Sequence, residues 1–281
     1  MFLSRYIPDS IYLKIKFKKK MGCRLNLKHP QTYNEKLQWL KLYDRRKIYT
    51  KMVDKYEAKE YVAAIIGEKY IVPNYGVWDS FDEIDFSILP DKFVLKTTHD
   101  SGGVVICTDK NTLDIEAARS KLVFSLNKNY YYQGREWPYK SVKHRIIAEK
   151  YIEQTGSDDL RDYKFFCFNG VAKIVLVCSE RFSKEGLKED FFGRNWEHLK
   201  LKRKAHNNSP QKIERPHQFD EMLLLAEKLS KGIPFLRVDF YEINGNVYFG
   251  ELTFYPASGF EGFEPEEWDY KMGEWINLPK K

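Results

Sequence analysis

The chain has 281 residues, 43% of them hydrophobic and 16% aromatic, enough to bury the core of one large α/β domain or two smaller ones. No window is apolar over the length a membrane-spanning helix requires, and the start lacks the small-residue cleavage site of a secretory signal, so the expected location is the cytoplasm. The net charge of +7 is uneven: residues 1–60 carry sixteen Lys and Arg against six Asp and Glu, net +10, which suits nucleic acid, an anionic membrane surface or an acidic small molecule.

Residues 1–69 read as a helical region. In the first twenty, Ile11, Leu13, Ile15 and Phe17 alternate as in a strand, yet the segment also suits a helix capped by Asp9 or Ser10, and periodicity leaves both open. Lys16, Lys18, Lys19 and Lys20 suit either a solvated basic face or contact with an anionic bilayer. Thr32 with Glu35 three positions on is a capping-box signature, opening a helix through Leu37, Leu40 and Leu42. A second helix is expected over about 49–66, which would place Lys55 and Lys59, four residues apart, on one face.

From Tyr70 short strands follow. Phe93–Thr97 and Val104–Cys107 flank a small-residue loop, Thr98–Gly103, whose glycines allow close approach of a ligand and whose successive N–H groups suit an anion. Lys96 leads into it; the plainer alternative is a glycine hairpin beside an ordinary lysine. Neither a P-loop nor a Gly-x-Gly-x-x-Gly fingerprint occurs. Residues 114–130 read as a helix, Arg145–Gln154 contain a buried strand ending at Glu149, and Asp162–Glu180 form a hairpin turning at Asn169-Gly170. The polar block 181–218 reads as a long, partly mobile excursion, and a helix over 219–231, capped near Asp220, ends at Gly232. Cys23, Cys107, Cys167 and Cys178 form no Cys-x-x-Cys pair and read as reduced, and the six histidines lack zinc-site spacing.

The most informative stretch is 233–259. Arg237 and Asp239 lie on one strand, Glu251 and Thr253 on the next, joined through Asn244, Gly245 and Asn246. If Ile243 pairs with Val247, Asp239 lies opposite Glu251 and Arg237 opposite Thr253; if Asn244-Gly245 is a two-residue turn, the register shifts by one and the acids face opposite ways. In the first register two carboxylates stand side by side, an arrangement that suits Mg²⁺; the alternative is an amphipathic hairpin whose charges face water.

The runs LNLKHPQTYNEKLQWLKLYD, VDKYEAKEYV, FVLKTTHDSGG, AEKYI, DYKFFCFNG and RVDFYEINGNVYFGELTFYPASG, in this order, resemble the TupA-like (teichuronopeptide biosynthesis) family of the ATP-grasp superfamily over about 22–262. The resemblance implies an α/β (α+β) ATP-grasp fold: two α+β subdomains, 70–152 and 153–281, clamping a nucleotide and preceded by the helical region 1–69. It implies ATP, with Mg²⁺ or alternatively Mn²⁺, as cofactors. Lys55 and Lys96 would meet the phosphates, Ser101, Gly102, Gly103 and Val104 would close over them as a flexible flap, and Glu149, Lys150, Tyr151 and Ile152 would hold adenine. Asp162 and Lys164 would reach the ribose, while Asp239 and Glu251 would ligate the metal, with Thr253 where the superfamily usually has Asn. Arg237, with Lys96, would act in catalysis, and Ser258-Gly259 would hold substrate through backbone N–H groups. The implied chemistry joins a carboxylate to an amine through an acyl phosphate, acting on a sugar acid or amino acid in cell-surface polysaccharide synthesis. A kinase on the same fold is the alternative. A glycosyltransferase lacks support, since no Asp-x-Asp pair occurs, and a nucleic-acid binder would be repelled by the acids at 239 and 251.

Overall fold

The structure, a computed structural model of the chain, describes residues 5–153, 161–180, 183 and 186–280. It divides into two units: residues 1–45 pack with 154–281, and residues 46–153 form the other. The expected helical region 1–69 is therefore shared between them.

The discontinuous unit opens with α1 (Asp9–Met21) and α2 (Tyr33–Tyr43). Helix, not strand, is the outcome for the first segment. Leu13 and Phe17, four apart, bury against Leu25 with Tyr12, Leu42 and Phe260 packed around them, while Pro8 stands at the N-cap without the side-chain cap expected from Asp9 or Ser10. The Thr32/Glu35 capping box forms as the spacing predicts, with Thr32 Oγ1 accepting from Glu35 N at 3.2 Å.

The 46–153 unit begins with α3 (Ile48–Val53) and α4 (Glu57–Ile66), two helices where one is expected. Asp54 makes the break: its Oδ1 accepts from Tyr56 N (2.8 Å) and Glu57 N (3.2 Å), an Asx-type turn that restarts the helix. Lys55 therefore sits in the turn and Lys59 on α4. Strands β1 (Asn74–Trp78), β2 (Phe93–Thr97) and β3 (Val104–Cys107), helices α5 (Ile115–Leu126) and α6 (Tyr131–Gly134), and β4 (Ile146–Lys150) complete the unit. Its antiparallel sheet runs β1-β4-β2-β3. Phe93, Leu95, Ile146, Ala148 and Leu122 form the core under α5.

The discontinuous unit resumes with β5 (Asp162–Phe168), β6 (Val171–Ser179), β7 (Lys188–Gly193), β8 (Lys202–Arg203), α7 (Phe219–Ser230), β9 (Phe235–Ile243), β10 (Asn246–Thr253), β11 (Phe263–Glu264) and α8 (Glu267–Glu274). The main sheet is β10-β9-β5-β6-β7, antiparallel throughout, with α7 packed on β5, β6 and β9; β8 and β11 pair separately. The β5/β6 turn falls at Asn169-Gly170, both with positive φ, as the sequence predicts. The α7 helix starts at Phe219 with no side-chain cap, because Asp220 pairs with Arg215 instead.

The expectation of a partly mobile excursion at 181–218 needs correction. Residues 181–182 and 184–185 lie outside the described residues, but β7 is a sheet strand with all six residues buried. Its polarity conceals this because the charges are paired: Asp190 accepts from His198 Nε2 (2.9 Å), Asn208 Nδ2 (2.8 Å) and Ser209 N (2.9 Å), and Glu189 pairs with Arg203 (3.0 Å).

Candidate active site

In the 46–153 unit the sequence-predicted residues gather around Glu149. Lys96 lies opposite Ile147 and Glu149 opposite Val94, so the two charges are diagonal neighbours on one face of the β2/β4 ladder. Lys96 Nζ stands 2.5 Å from Glu149 Oε2, and Lys59 Nζ stands 2.7 Å from Oε1. Burial alone would raise the Glu149 carboxyl, but Lys96 and Lys59 overcome this and hold it at about 2. Lys59 also donates to Val72 O at 2.8 Å and to Asn74. The carboxylate expected to read adenine is thus occupied by two lysines, and the Lys150 N–H donates to Pro73 O (2.9 Å). Tyr151 and Ile152 follow β4, half-buried.

Lys55 does not join this cluster. Its Nζ donates to Asp100 O and its N–H to Thr98 O (3.0 Å), tying it to the glycine loop. That loop is anchored by Asp100, whose Oδ1 accepts from Thr97 Oγ1 (2.5 Å) and Gly103 N (3.2 Å) and whose Oδ2 accepts from Ser125. Burial raises the Asp100 carboxyl, yet the Ser125 and Thr97 hydroxyls outweigh it and leave the pKa lowered. A side chain at Gly103 would collide with Thr97 Oγ1 at 2.0 Å. Thr97 to Asp100 are buried, so only Ser101 and Gly102 form an exposed tip, with Val104 half-buried at the start of β3.

In the discontinuous unit the metal expectation turns on register. The hairpin has the two-residue turn: Asn246 pairs with Ile243, and Asn244 (φ 51°) and Gly245 (φ 77°) are both left-handed. The acids nevertheless face each other. A bulge at Gly250 adds one residue, so Phe249 lies opposite Phe240 but Glu251 lies opposite Asp239, and Thr253 opposite Arg237. Both alternatives weighed from the sequence were partly right, because neither included a bulge.

Pairing extends the row, since Asp239 also lies opposite Lys164 on β5. Arg237 donates from Nε to Asp239 Oδ1 (2.7 Å) and from Nη2 to Asp239 Oδ2 and Glu251 Oε1 (2.6 Å each). Lys164 donates to Asp239 Oδ2 (2.6 Å) and to Asp162, and Thr253 Oγ1 to Glu251 Oε1 (3.1 Å). Burial raises Asp239 above the usual carboxylate range, against the pull of Arg237 and Lys164. Lys164 is raised above its usual value, because Asp162 and Asp239 outweigh its burial. Asp162 and Lys164, expected at the ribose, therefore belong to the carboxylate row. Three carboxylates face two cations there, an excess of oxygen donors that fits a hard divalent ion. Among the described residues no three acidic, His or Cys groups are placed to hold a metal alone. Two carboxylates and a hydroxyl fit an ion whose remaining ligands come from phosphate and water.

One feature escaped the sequence reading. Asn34, Gln38 and Lys41, at i, i+4 and i+7 on α2, are all fully buried. Gln38 Nε2 donates to Gly259 O (2.6 Å) and Ser258 O (3.1 Å), Lys41 Nζ to Ser258 O (2.7 Å), and Asn34 Nδ2 to Glu261 O (2.8 Å). They grip a turn in which Ala257 (φ 47°), Ser258 (φ 55°) and Gly259 (φ 62°) are left-handed in succession, a conformation costly for Ala and Ser. The Ser258 N–H, expected to face substrate, donates to Tyr255 O (2.8 Å). The polar triplet repeats at helical spacing in NEKLQWLK, a signal that hydrophobic periodicity passes over.

Residues 35–277 match a family model described as TupA-like ATPgrasp. No curated protein matches the chain. Solved structures resembling it include the D-alanine–D-alanine ligase of Bacillus anthracis complexed with ATP, with a TM-score of 0.40 and 17% identity over 72% of this chain and 53% of that one. The Helicobacter pylori D-alanine–D-alanine ligase has a TM-score of 0.40 and 16% identity over 80% and 61% of the two chains. The biotin carboxylase domain of the Hydrogenobacter thermophilus 2-oxoglutarate carboxylase has a TM-score of 0.43 and 16% identity over 98% and 60%. The chain thus spans between about half and two thirds of these proteins.

Proposed function

The chain belongs to the TupA-like ATP-grasp family, and from that premise we propose that it is an ATP-dependent carboxylate–amine ligase. A carboxylate oxygen attacks the γ-phosphorus of ATP and the bond to the β-phosphate oxygen breaks, giving an acyl phosphate and ADP. An amine then attacks the acyl carbon, phosphate leaves with the carbon–oxygen bonding pair, the amine proton passes to solvent or a base, and an amide remains. Phosphorylation turns a poor leaving oxygen into a good one.

The observation that carries this reading is the row Glu251–Asp239–Lys164 with Arg237 across it. Asp239, Glu251 and Thr253 are the proposed holders of Mg²⁺ or Mn²⁺, which when bound supplies neutralisation of phosphate charge. Arg237 keeps the two carboxylates side by side before the ion arrives and offers a guanidinium to the transferred phosphoryl group. Lys96 and Lys55 are proposed for the phosphates and Ser101 to Val104 for the covering flap. A triphosphate carries about four negative charges, and one unit pair at about 4 Å near a protein surface is worth roughly 4 kcal/mol, so several cations are needed. Lys96 is 30% exposed and can exchange its contact with Glu149 for a phosphate. Lys59, held by Glu149 and two further oxygens, keeps that carboxylate neutralised when Lys96 leaves. Glu149 to Ile152 remain the proposed adenine segment, through backbone groups other than the Lys150 N–H. The carboxylate is proposed to belong to a sugar acid or amino acid of a cytoplasmic polysaccharide precursor.

The test is ADP release with a panel of amino acids and uronic-acid sugars, with and without amines, and mass spectrometry of the product. An amide whose formation requires both partners is the expected result. ADP release indifferent to every amine, with a phosphorylated product, would make the protein a kinase. Lys96→Ala and Glu251→Gln should each lower turnover by about 10²-fold or more, and retention of most activity would remove that residue from the chemistry.

A further inference from the structure

We propose that the outer face of α1 docks on an anionic lipid surface. By sequence alone the segment suits a solvated basic face better, and the structure adds which residues face outward. Leu13 and Phe17 are 0% and 1% exposed and fix the inner face against Leu25 and Leu42. At the spacing i, i+3, i+4, i+7, the residues Ile11, Lys14, Ile15 and Lys18 then form one exposed stripe, with Lys19 beside it. Ile11 is 50% exposed and Ile15 60%, and Tyr6, ahead of the helix, is 85% exposed.

The composition of the stripe selects the partner. Isoleucines at i and i+4 interleaved with lysines at i+3 and i+7 match the two demands of an anionic interface, apolar insertion below the headgroups and cations at their level. A nucleic-acid backbone would use the lysines and gain nothing from the isoleucines. Residues 1–22 carry six Lys and Arg against the single Asp9, and Asp9 is engaged by Arg45 at 2.7 Å, so nothing acidic within the segment competes for lipid. Lys14, Lys18, Lys19 and Lys20 form no ion pair among the described residues. Among the described residues no helix is long and apolar enough to cross a membrane, and the proposed contact is one of lying on the surface.

The experiment is co-sedimentation of the full chain with vesicles of phosphatidylcholine alone and of phosphatidylcholine with phosphatidylglycerol. Binding is expected only to the second kind. Lys14→Glu with Lys18→Glu should weaken it by about tenfold or more, and Ile11→Ser with Ile15→Ser should weaken it severalfold and remove the fraction that survives high salt. All four positions are exposed, so both double variants should keep the wild-type Tm, which is measured alongside. Equal binding to both vesicle kinds, no binding to either, an isoleucine variant that binds as wild type, or tighter binding to a single-stranded oligonucleotide than to the anionic vesicles would each overturn the proposal. None of these outcomes bears on ATP chemistry, because α1 holds none of the proposed nucleotide or metal residues.

Discussion

Two lysines meet one buried carboxylate at Glu149, which makes the fold acid-sensitive in a defined window. The folded pKa of about 2 lies below the ordinary 4.5, so the group stabilises the fold fully above 4.5 and loses that contribution as pH falls toward 2. The size is roughly 3 kcal/mol. Urea unfolding across that window should show a steep loss for the wild type that Glu149→Gln lacks, and parallel curves for the two would contradict the assignment. At the carboxylate row, Asp239→Asn removes the buried carboxylate that Arg237 and Lys164 share, leaving them Glu251 and Asp162, and should cost about 3 kcal/mol of stability. Glu251→Gln, at a side chain 45% exposed, should cost under about 1 kcal/mol, so that its effect on turnover can be read without unfolding. Sequence spacing picked out Asp239, Glu251 and Lys96, because charged residues inside β runs stand out. It noted Lys59 only as sharing a helix face with Lys55, and its role appears only when α4 places it beside Asn74 and Glu149.

Among the elements, α2 departs furthest from what its sequence advertises. A helix facing the core normally presents an apolar stripe, and this one presents Asn34, Gln38 and Lys41 to the 258–261 backbone. Lys41→Met fills the same space and removes one of the donors to Ser258 O, at an expected cost of about 1–3 kcal/mol by chemical denaturation. The bulge at Gly250 is the other device. A side chain there would lie 3.1 Å from both Asp239 O and the Tyr241 ring, so Gly250→Val should cost about 1–3 kcal/mol and displace Glu251 from its partner. A Tm unchanged within error would show that the bulge tolerates crowding. The strands flanking the glycine loop were legible to the residue, since each is a short β-prone run bounded by turn-forming residues, Pro90-Asp91 before the first, the Thr98–Gly103 loop between them and Thr108-Asp109 after the second. The break at Asp54 and the buried strand Lys188–Gly193 were not: the first is a local hydrogen-bond choice by one Asp, and the second hides its burial behind charges whose partners come from the loop that follows, 8 to 19 residues on.

At the scale of the whole molecule, the division at 45/46 and 153/154 changes what can be removed. Residues 1–45 supply Tyr33, Leu37, Trp39 and Leu40 to the core of the discontinuous unit, all 5% exposed or less. A chain starting at residue 46 should therefore lose cooperative unfolding of that unit, readable as a missing transition in calorimetry. An unchanged profile would mean that 1–45 is an appendage. The composition shift at Tyr70 pointed to a different boundary, because the apolar period of α2 marks a buried face without saying which unit buries it.

The hydrogen bond from Asn34 to Asp269 closes a loop of 235 residues, and Gly273 leaves room for α8 against the carbonyl of Gln31. Contacts this distant along the chain order events during synthesis on the ribosome. The β1-β4-β2-β3 sheet of residues 46–153 can close as soon as that unit emerges, whereas α2 must wait, its polar stripe unanswered, until the final helix leaves the exit tunnel. Nascent chains stalled once residue 153 has cleared the exit tunnel, but before residue 258 has, should accordingly protect 46–153 from protease while 5–45 remains cleavable, a vulnerability that the finished protein no longer has.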